Sequence, residues 1–351
     1  MIDIEAHCIN RKAPIMEALQ KMNAIPENLT LFITGTDHSL VGTLTDGDIR
    51  RGFMNGNRLS DSVEKFMKGS FHFLSTRELK PEEISVIKQK GVKLLPVIDG
   101  KGKIIRVIDL KKTITILPVD AVIMAGGRGE RLRPLTDTTP KPLLKLGSKP
   151  ILEHNIDHLV KYGIEHFFIT LNYLGEQIES YFGNGESKEI RIKYTREKQT
   201  LGTIGSVSLI KELRHSHVLI MNADVFTNID LENFYRNFID EEADMAIATI
   251  PYVVDVPYAV LNIENNRLSS FREKPSYTYS SNAGIYLIRR DLLELIPIEK
   301  QFNATDFIQA LLSHGKKVIR FPIIGYWVDI GKPEDYQKAR EMVTYLTSSA
   351  I

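Results

Sequence analysis

Apolar positions in the front part of the chain come in strand-length runs separated by turn residues. Leu31-Phe32-Ile33 is followed by Thr34-Gly35-Thr36-Asp37, by Leu40-Val41-Gly42-Thr43-Leu44, and then by Thr45-Asp46-Gly47-Asp48. Further along, Leu94-Leu95-Pro96-Val97-Ile98 leads into Asp99-Gly100-Lys101-Gly102 and Ile104-Ile105-Arg106-Val107-Ile108-Asp109. Each reads as a hairpin ending in an aspartate, because a Gly-containing turn between two apolar runs lets the chain reverse. An amphipathic stretch precedes each. Ile15, Met16, Leu19 and Met22 share a helical face, and Pro81-Glu82-Glu83 opens a second helix with proline and acids in its first turn. The spacing predicts an internal repeat, a small α+β module, over residues 1–115.

Beyond a short connector at 111–119 the pattern changes. Ala121-Val122-Ile123-Met124, Phe167-Phe168-Ile169-Thr170-Leu171 and Val218-Leu219-Ile220-Met221 are apolar on both faces. Helical patterns alternate with them, at Ile151-Leu152-Glu153-His154-Asn155-Ile156 and from Ile204 to Leu213. Doubly buried strands separated by helices predict an α/β layered domain over 119–351 with a largely parallel sheet, whose ligands bind at the carboxyl ends of the strands. A last helix should bury Ala339, Met342 and Val343 with Tyr336 and Leu346.

Composition narrows the classes. With 351 residues, 43% hydrophobic and 25% charged, the chain is an ordinary globular protein of about two domains. Lys and Arg number 45 against 44 Asp and Glu, a formal charge of +1, so nothing draws the whole molecule to nucleic acid or an anionic membrane. Any cationic site is local. Cys8 is the only cysteine, which excludes an internal disulfide and a cysteine-pair metal cage. The acidic start Met1-Ile2-Asp3-Ile4-Glu5 does not suit a secretory signal, and no run reaches the apolar length that spans a bilayer, so a cytoplasmic protein is expected.

Candidate chemistry begins after the first doubly buried strand, at Ala125-Gly126-Gly127-Arg128-Gly129-Glu130-Arg131-Leu132-Arg133-Pro134-Leu135-Thr136, then Pro140-Lys141-Pro142. Glycines there let backbone amides approach a phosphate, and basic residues outnumber acids through Lys149. It is not a P-loop, since no Gly-Lys-Ser/Thr follows. Arg131 and Lys141 are the candidate phosphate contacts because the neighbouring glycines and prolines hold them in fixed relation. His154 and His158 lie four apart on a helix, but no accompanying ligand pattern supports a metal there.

These motifs resemble the signature of sugar-1-phosphate nucleotidyltransferases, and the likeness continues to the end of the chain. It implies a Rossmann-like, mixed and mostly parallel sheet sandwiched by helices. It also implies nucleotide binding by Ala125, Gly126, Gly127, Gly129 and Gly202 (in Leu201-Gly202-Thr203), and Mg2+ held by Asp224 (in Asn222-Ala223-Asp224) and Asp329 (in Trp327-Val328-Asp329-Ile330-Gly331). Glu273 and Lys274 of Arg272-Glu273-Lys274-Pro275, with Asn282 and Gly284 of Asn282-Ala283-Gly284, would form the sugar-phosphate site. A sugar-1-phosphate oxygen is already ionised, so electrostatics rather than a general base would carry catalysis, through Arg131, Lys141 and Asp224.

For the base, Glu197 precedes Leu201, and a carboxylate matches the two adjacent donors of guanine better than the mixed edge of uracil or thymine. GTP is therefore the expected nucleotide; a solvent-exposed glutamate, and UTP or dTTP, stay open. The sugar is undecided between mannose, heptose and amino-sugar phosphates, with bacterial surface-glycan precursors as the implied destination. The front repeat resembles a tandem pair of cystathionine-β-synthase (CBS) domains, which implies an adenine nucleotide held by Thr45 and Asp48. The second copy has Arg106 in place of the threonine and keeps only Asp109. Both aspartates could equally be turn or capping residues. A homo-oligomer stays open, as does an adenine-nucleotide sensor whose transferase domain is inactive.

Overall fold

Each front hairpin acquires a third strand and a helix. The computed structural model describes residues 2–25, 29–75 and 81–348. The chain divides into one unit of residues 1–118 with Lys161–Gly163 and another of residues 119–160 with 164–351. The first unit begins with α1 (Ile4–His7), β1 (Cys8–Asn10), α2 (Ile15–Ala24), β2 (Thr30–Thr34), β3 (Leu40–Thr45) and α3 (Asp46–Met54). It continues with β4 (Leu74–Ser75), α4 (Pro81–Gln89), β5 (Leu94–Ile98) and β6 (Ile104–Asp109). Two three-stranded sheets result, β1-β2-β3 and β4-β5-β6. In each, the first strand is parallel to the second and the second antiparallel to the third, with the ladder irregular at the same place, Ile33/Thr34 and Val97/Ile98. The weak sequence repeat is thus a repeat of topology.

The apolar faces explain the packing. Ile15, Ala18 and Met22 of α2 meet Leu31, Ile33 and Leu44, while Ile84 and Ile87 of α4 meet Leu74, Leu95 and Ile108. Phe32, Leu94 and Val107 form a third cluster where the copies meet.

The second unit is built on seven strands in the order β11-β10-β7-β12-β17-β14-β18. Its elements are β7 (Val119–Ala125), the short pair β8 (Lys145–Leu146) and β9 (Lys149–Pro150), α5 (Ile151–Val160), β10 (His166–Leu171), α6 (Gly175–Phe182), β11 (Arg191–Arg196) and β12 (His217–Asn222). After these come β13 (Val225–Thr227), α7 (Leu231–Asp240), β14 (Met245–Asp255), β15 (Val260–Glu264), β16 (Arg267–Arg272), β17 (Ser276–Arg289), α8 (Ala304–Ser313), β18 (Val318–Pro322), β19 (Trp327–Asp329) and α9 (Pro333–Ser348). Only β17 runs against its neighbours. The sheet is mixed and mostly parallel because β7, β10 and β12 are buried on both faces. Val122, Phe168, Ile220, Tyr286 and Phe307 centre one core; Leu132, Leu146, Phe226, Val328, Ala339 and Val343 hold α9 against the β13–β19 ribbon.

The helix expected from Ile204 to Leu213 is a correction: only a 3-10 turn forms, over Gly205–Leu209. A Cβ on Gly205 would lie 2.8 Å from the Lys300 carbonyl oxygen, and the Ser208 hydroxyl donates to the Gly205 carbonyl at 2.7 Å, so packing and local hydrogen bonds override the apolar spacing. No helix among the described residues is long and apolar enough to cross a membrane.

At the start of β10, burial pushes the His166 imidazole down from 6.5 to about 4, helped by the positive charge of Arg214. The folded chain therefore keeps this ring neutral where the unfolded chain protonates it, and stability is lost as pH falls from about 6.5 through 4. We expect His166→Gln to flatten that acid limb in a plot of urea midpoint against pH; an unchanged limb would place the titration elsewhere.

Candidate active site

Strand register brings the first half of the site together. Ala125 lies opposite Leu171, and Leu171 opposite Arg196, so three parallel strands end side by side. The next residues, Gly126, Asn172 and Glu197, therefore emerge together at the carboxyl edge. A Cβ on Gly126 would stand 3.0 Å from Glu197 Oε1 and 3.3 Å from Asn172 Cβ, so only glycine leaves the loop room against that carboxylate. The Asn172 side-chain amide and the Leu201 backbone N–H both donate to Glu197 Oε2 at 3.3 Å. One carboxylate oxygen is thus committed to the fold and the other faces the glycine loop. Gly129 adopts φ 63, and a Cβ there would come within 2.9 Å of Thr136. Gly127 has open space around it. The Arg128 guanidinium lies 5.8 Å over the Tyr173 ring, whose hydroxyl donates to the carbonyls of Thr136 and Asp137.

The second half forms where β12 ends. Asp224 follows it directly, and Lys141 Nζ donates to Asp224 Oδ2 at 2.5 Å. Lys141 is buried to 8% exposure, seated by a 3-10 turn between Pro140 and Pro142. In the β13–β19 ladder Val225 pairs with Asp329, and the Ile330 N–H donates to the Asp224 carbonyl at 3.0 Å. The two aspartates are thereby neighbours on adjacent strands. Gly331 lies against both Asp329 Oδ2 and the Arg131 guanidinium, at 3.4 and 3.5 Å from its Cβ position. The Asp329 carboxyl is pushed above its ordinary value by desolvation first and then by the charge of Asp224, against the pull of Lys141 and Arg131.

Asp224 Oδ1 is buried and has no hydrogen-bond partner. An orphaned carboxylate oxygen beside a second carboxylate fits a divalent cation. Among the described residues no group of three or more His, Cys, Asp or Glu side chains could hold a metal alone. That donor set suits magnesium, which takes one or two carboxylates and completes its octahedron with substrate phosphates and water.

The remaining expected residues fall into two groups. Gly284 adopts φ 72 and packs so closely that a Cβ would stand 2.6 Å from Asn222 Nδ2; Asn282 accepts from the Gly284 N–H and donates to the Tyr286 hydroxyl. Both lie near the end of β12, beside Asp224. Gly202, φ 80, is required by the Phe302 carbonyl, 2.6 Å from its Cβ position. Glu273 and Lys274 are elsewhere. They precede β17, which is extended from Ser276 through Asn282, so at about 3.3 Å per residue Pro275 stands roughly 23 Å along the strand from Asn282. The expected grouping of Glu273 and Lys274 with Asn282 and Gly284 is therefore spread along the length of that strand. His154 and His158 point their Nε2 atoms at the carbonyls of Leu146 and Ile229, at 2.9 and 2.8 Å.

In the first unit, Thr45 and Asp48 form a capping box at the start of α3. Asp48 Oδ2 accepts from the Thr45 N–H and hydroxyl, and Oδ1 from Arg51. Burial raises its carboxyl, yet the Thr45 and Arg51 hydrogen bonds win and hold it below the usual range. Asp109 caps a turn by accepting from the Lys111 N–H at 2.9 Å. Thr45 and Asp48 also line a cleft of about 600 Å3 with Arg50, Lys68, Lys90 and Lys93.

The sequence pattern pointed to Glu197, Lys141, Asp224 and Asp329 but missed Asn172 and Asn222. The one usable signal was position, since each ends or follows a doubly apolar strand.

The model of the nucleotidyl transferase family matches residues 120–345. The chain is 30% identical over 226 residues to a D-glycero-alpha-D-manno-heptose 1-phosphate guanylyltransferase of Aneurinibacillus thermoaerophilus, covering 64% of this chain and 97% of that protein. It is 33% identical over 226 residues to a mannose-1-phosphate guanylyltransferase of Mycobacterium tuberculosis, covering 62% of each, so it spans less than two thirds of that relative. HddC from Yersinia pseudotuberculosis, solved in complex with GMP-PN, superposes with a TM-score of 0.50 at 26% identity, over 64% of this chain and 99% of that one.

Because the charge of Asp224 adds to the burial that raises Asp329, we expect Asp224→Asn to bring the Asp329 carboxyl part of the way down toward the ordinary range in a 13C NMR titration. An unmoved Asp329 would mean that the two carboxylates do not sense each other.

Proposed function

Since the chain belongs to the nucleotidyl transferase family, we propose that its second unit joins GTP to a sugar-1-phosphate, giving a GDP-sugar and pyrophosphate. The observation that carries this reading is the convergence, at one strand edge, of a glycine loop facing a half-free carboxylate with a Lys141–Asp224–Asp329–Arg131 cluster. Guanine offers two adjacent donors, N1–H and the 2-amino group, and Glu197 Oε1, which faces the glycine loop, would accept from that edge. The guanylyltransferase names of the relatives support the same base.

Transfer forms a bond from a phosphate oxygen of the sugar-1-phosphate to the α-phosphorus and breaks the bond from that phosphorus to the bridging oxygen, which leaves with its electron pair as pyrophosphate. No proton has to be removed, so the chain's task is to hold two polyanions in line. Backbone amides at Gly126 and Gly127 cradle the triphosphate, Arg131 meets the charge that grows on pyrophosphate, and Lys141 neutralises the reacting phosphates. Asp224 and Asp329 would hold one magnesium ion, which when bound offsets the charge on the phosphate oxygens. The sugar is read no further than a hexose or heptose phosphate.

The test incubates the full chain with magnesium and each of GTP, UTP, dTTP and ATP against a panel of sugar-1-phosphates, following pyrophosphate. We expect GTP to be preferred and Glu197→Gln to narrow the preference by about tenfold or more, since a hydrogen bond to a charged group is worth about 1.5–3 kcal/mol. Preference for UTP or dTTP would move the enzyme within its family, and no release with any pair would favour an inactive transferase domain.

For the first unit, the duplicated topology supports the reading as a CBS pair, and the cleft with Arg50, Lys68, Lys90 and Lys93 fits the phosphates of an adenine nucleotide. Because Asp48 caps α3, the cleaner probe is Arg50→Ala. AMP or ATP should raise the melting temperature of the wild-type chain and raise it less in the variant; no shift with either nucleotide would leave the repeat structural.

A further inference from the structure

The glycine loop sets a problem of entropy. Between Ala125 and Glu130 every residue but Arg128 is glycine, and a Cβ on Gly127 would meet no neighbour. Glycine loses more backbone freedom on ordering than any other residue, so a loop whose amides must receive phosphate at fixed positions needs a hold from outside. That hold comes through Thr136, buried to 1% exposure, whose hydroxyl donates to the Gly129 carbonyl at 2.8 Å. The segment from Thr136 to Thr138 is thus the backing of the loop. Its carbonyls are gripped in turn. The Tyr173 hydroxyl is shared between those of Thr136 and Asp137, at 3.2 and 3.0 Å, and the Gln177 side-chain amide donates to that of Thr138 at 2.9 Å. The Tyr173 ring also carries the Arg128 guanidinium 5.8 Å from its centroid, so one side chain contacts both the loop and its backing.

Topology explains why Tyr173 reaches that place. β10 lies between β7 and β11, parallel to both, and the three strands end in register at Ala125, Leu171 and Arg196. The two residues that follow β10 therefore stand between the glycine loop after β7 and Glu197 after β11. They divide the work. The Asn172 amide donates to Glu197 Oε2, and Tyr173 turns to the loop and its backing. The turn that carries them is tightly specified: Leu174 is held at φ 50, where a side chain costs stability, and a Cβ on Gly175 would stand 2.8 Å from Leu171 Cβ.

We propose that Tyr173 is a positioning residue for the triphosphate, its hydroxyl fixing the backing on which the glycine loop closes, while the adjacent Asn172 positions Glu197 for the base. One dipeptide then sets both ends of the nucleotide site, and each end can be loosened without the other. This rests on the reading of the crevice as a nucleotidyl-transfer site.

The experiment measures steady-state kinetics of the full chain and of its Tyr173→Phe and Asn172→Ala variants, with GTP and with the next-best nucleotide, against one accepted sugar-1-phosphate. Tyr173→Phe removes only the hydroxyl, so KM for both nucleotides should rise by the same factor, about fivefold for one neutral hydrogen bond. In the same variant KM for the sugar-1-phosphate and kcat should stay within about twofold of wild type. Asn172→Ala should instead raise KM for GTP more than for the other nucleotide, narrowing the preference by about fivefold. A hydroxyl with a merely structural role would lower the melting temperature and leave both nucleotide KM values in place; that result, or a rise confined to GTP, overturns the positioning of the triphosphate. An unchanged preference in Asn172→Ala overturns the division between the two residues. In the free chain, amide hydrogen exchange over residues 126–139 should run faster in Tyr173→Phe than in wild type while α5 exchanges as before; equal exchange in the loop would mean that the hydroxyl does not hold it. If the wild-type chain released no pyrophosphate with any nucleotide, the reading of the activity would fail, and the exchange comparison would still decide whether Tyr173 holds the loop.

Discussion

Two carboxylates held side by side repel each other, and the catalytic unit is arranged around keeping Asp224 and Asp329 together despite that cost. The β13–β19 ladder fixes the backbones, so the side chains cannot separate by sliding. Lys141 contacts one carboxylate directly and Arg131 lowers the charge penalty on the other. What remains is an oxygen on Asp224 with no protein partner. The fold has stored an unmet demand for positive charge at the crevice proposed to bring two anionic substrates together.

Other features follow from that demand. Lys141 reaches Asp224 across a separation of 83 residues, and it does so because Gly129 at φ 63 lets the loop pass within contact of the lysine's own Cβ. Gly284 permits β17 to lie on Asn222, which brings the Asn282 turn to the same crevice. On the opposite flank, Glu197 is steadied by Asn172 and Leu201 and keeps one oxygen toward the loop. The Glu197 side and the Asp224 side of the crevice thus rest on strand ends of one sheet, β11 and β12 with β10 and β7 between them, so the distance between them is fixed by strand spacing.

Much of this was legible along the chain. Doubly apolar strands announced a covered, mostly parallel sheet, and the glycine run after Ala125 announced a backbone that has to come close to something. One pattern misled. The apolar spacing from Ile204 to Leu213 resembles a helix, but Gly205 packs against the Lys300 carbonyl, Ser208 bonds locally to Gly205 and Ser206 bonds to Thr170 of β10, so only one turn winds. Thr45 and Asp48 match a nucleotide-binding element, and in the fold their polar atoms first satisfy the start of α3.

The sequence by itself determined the two front hairpins, the doubly apolar strands of the second unit and which residue types stand at their ends, because those properties depend on side chains a few positions apart. Tertiary structure alone decided that Lys141 meets Asp224, that Asn172 steadies Glu197, and that Pro275, just after Glu273 and Lys274, stands roughly 23 Å along the strand from Asn282. Such contacts come from the register between strands distant in sequence. A one-residue change in that register would carry each side chain to the opposite face while leaving every local pattern intact.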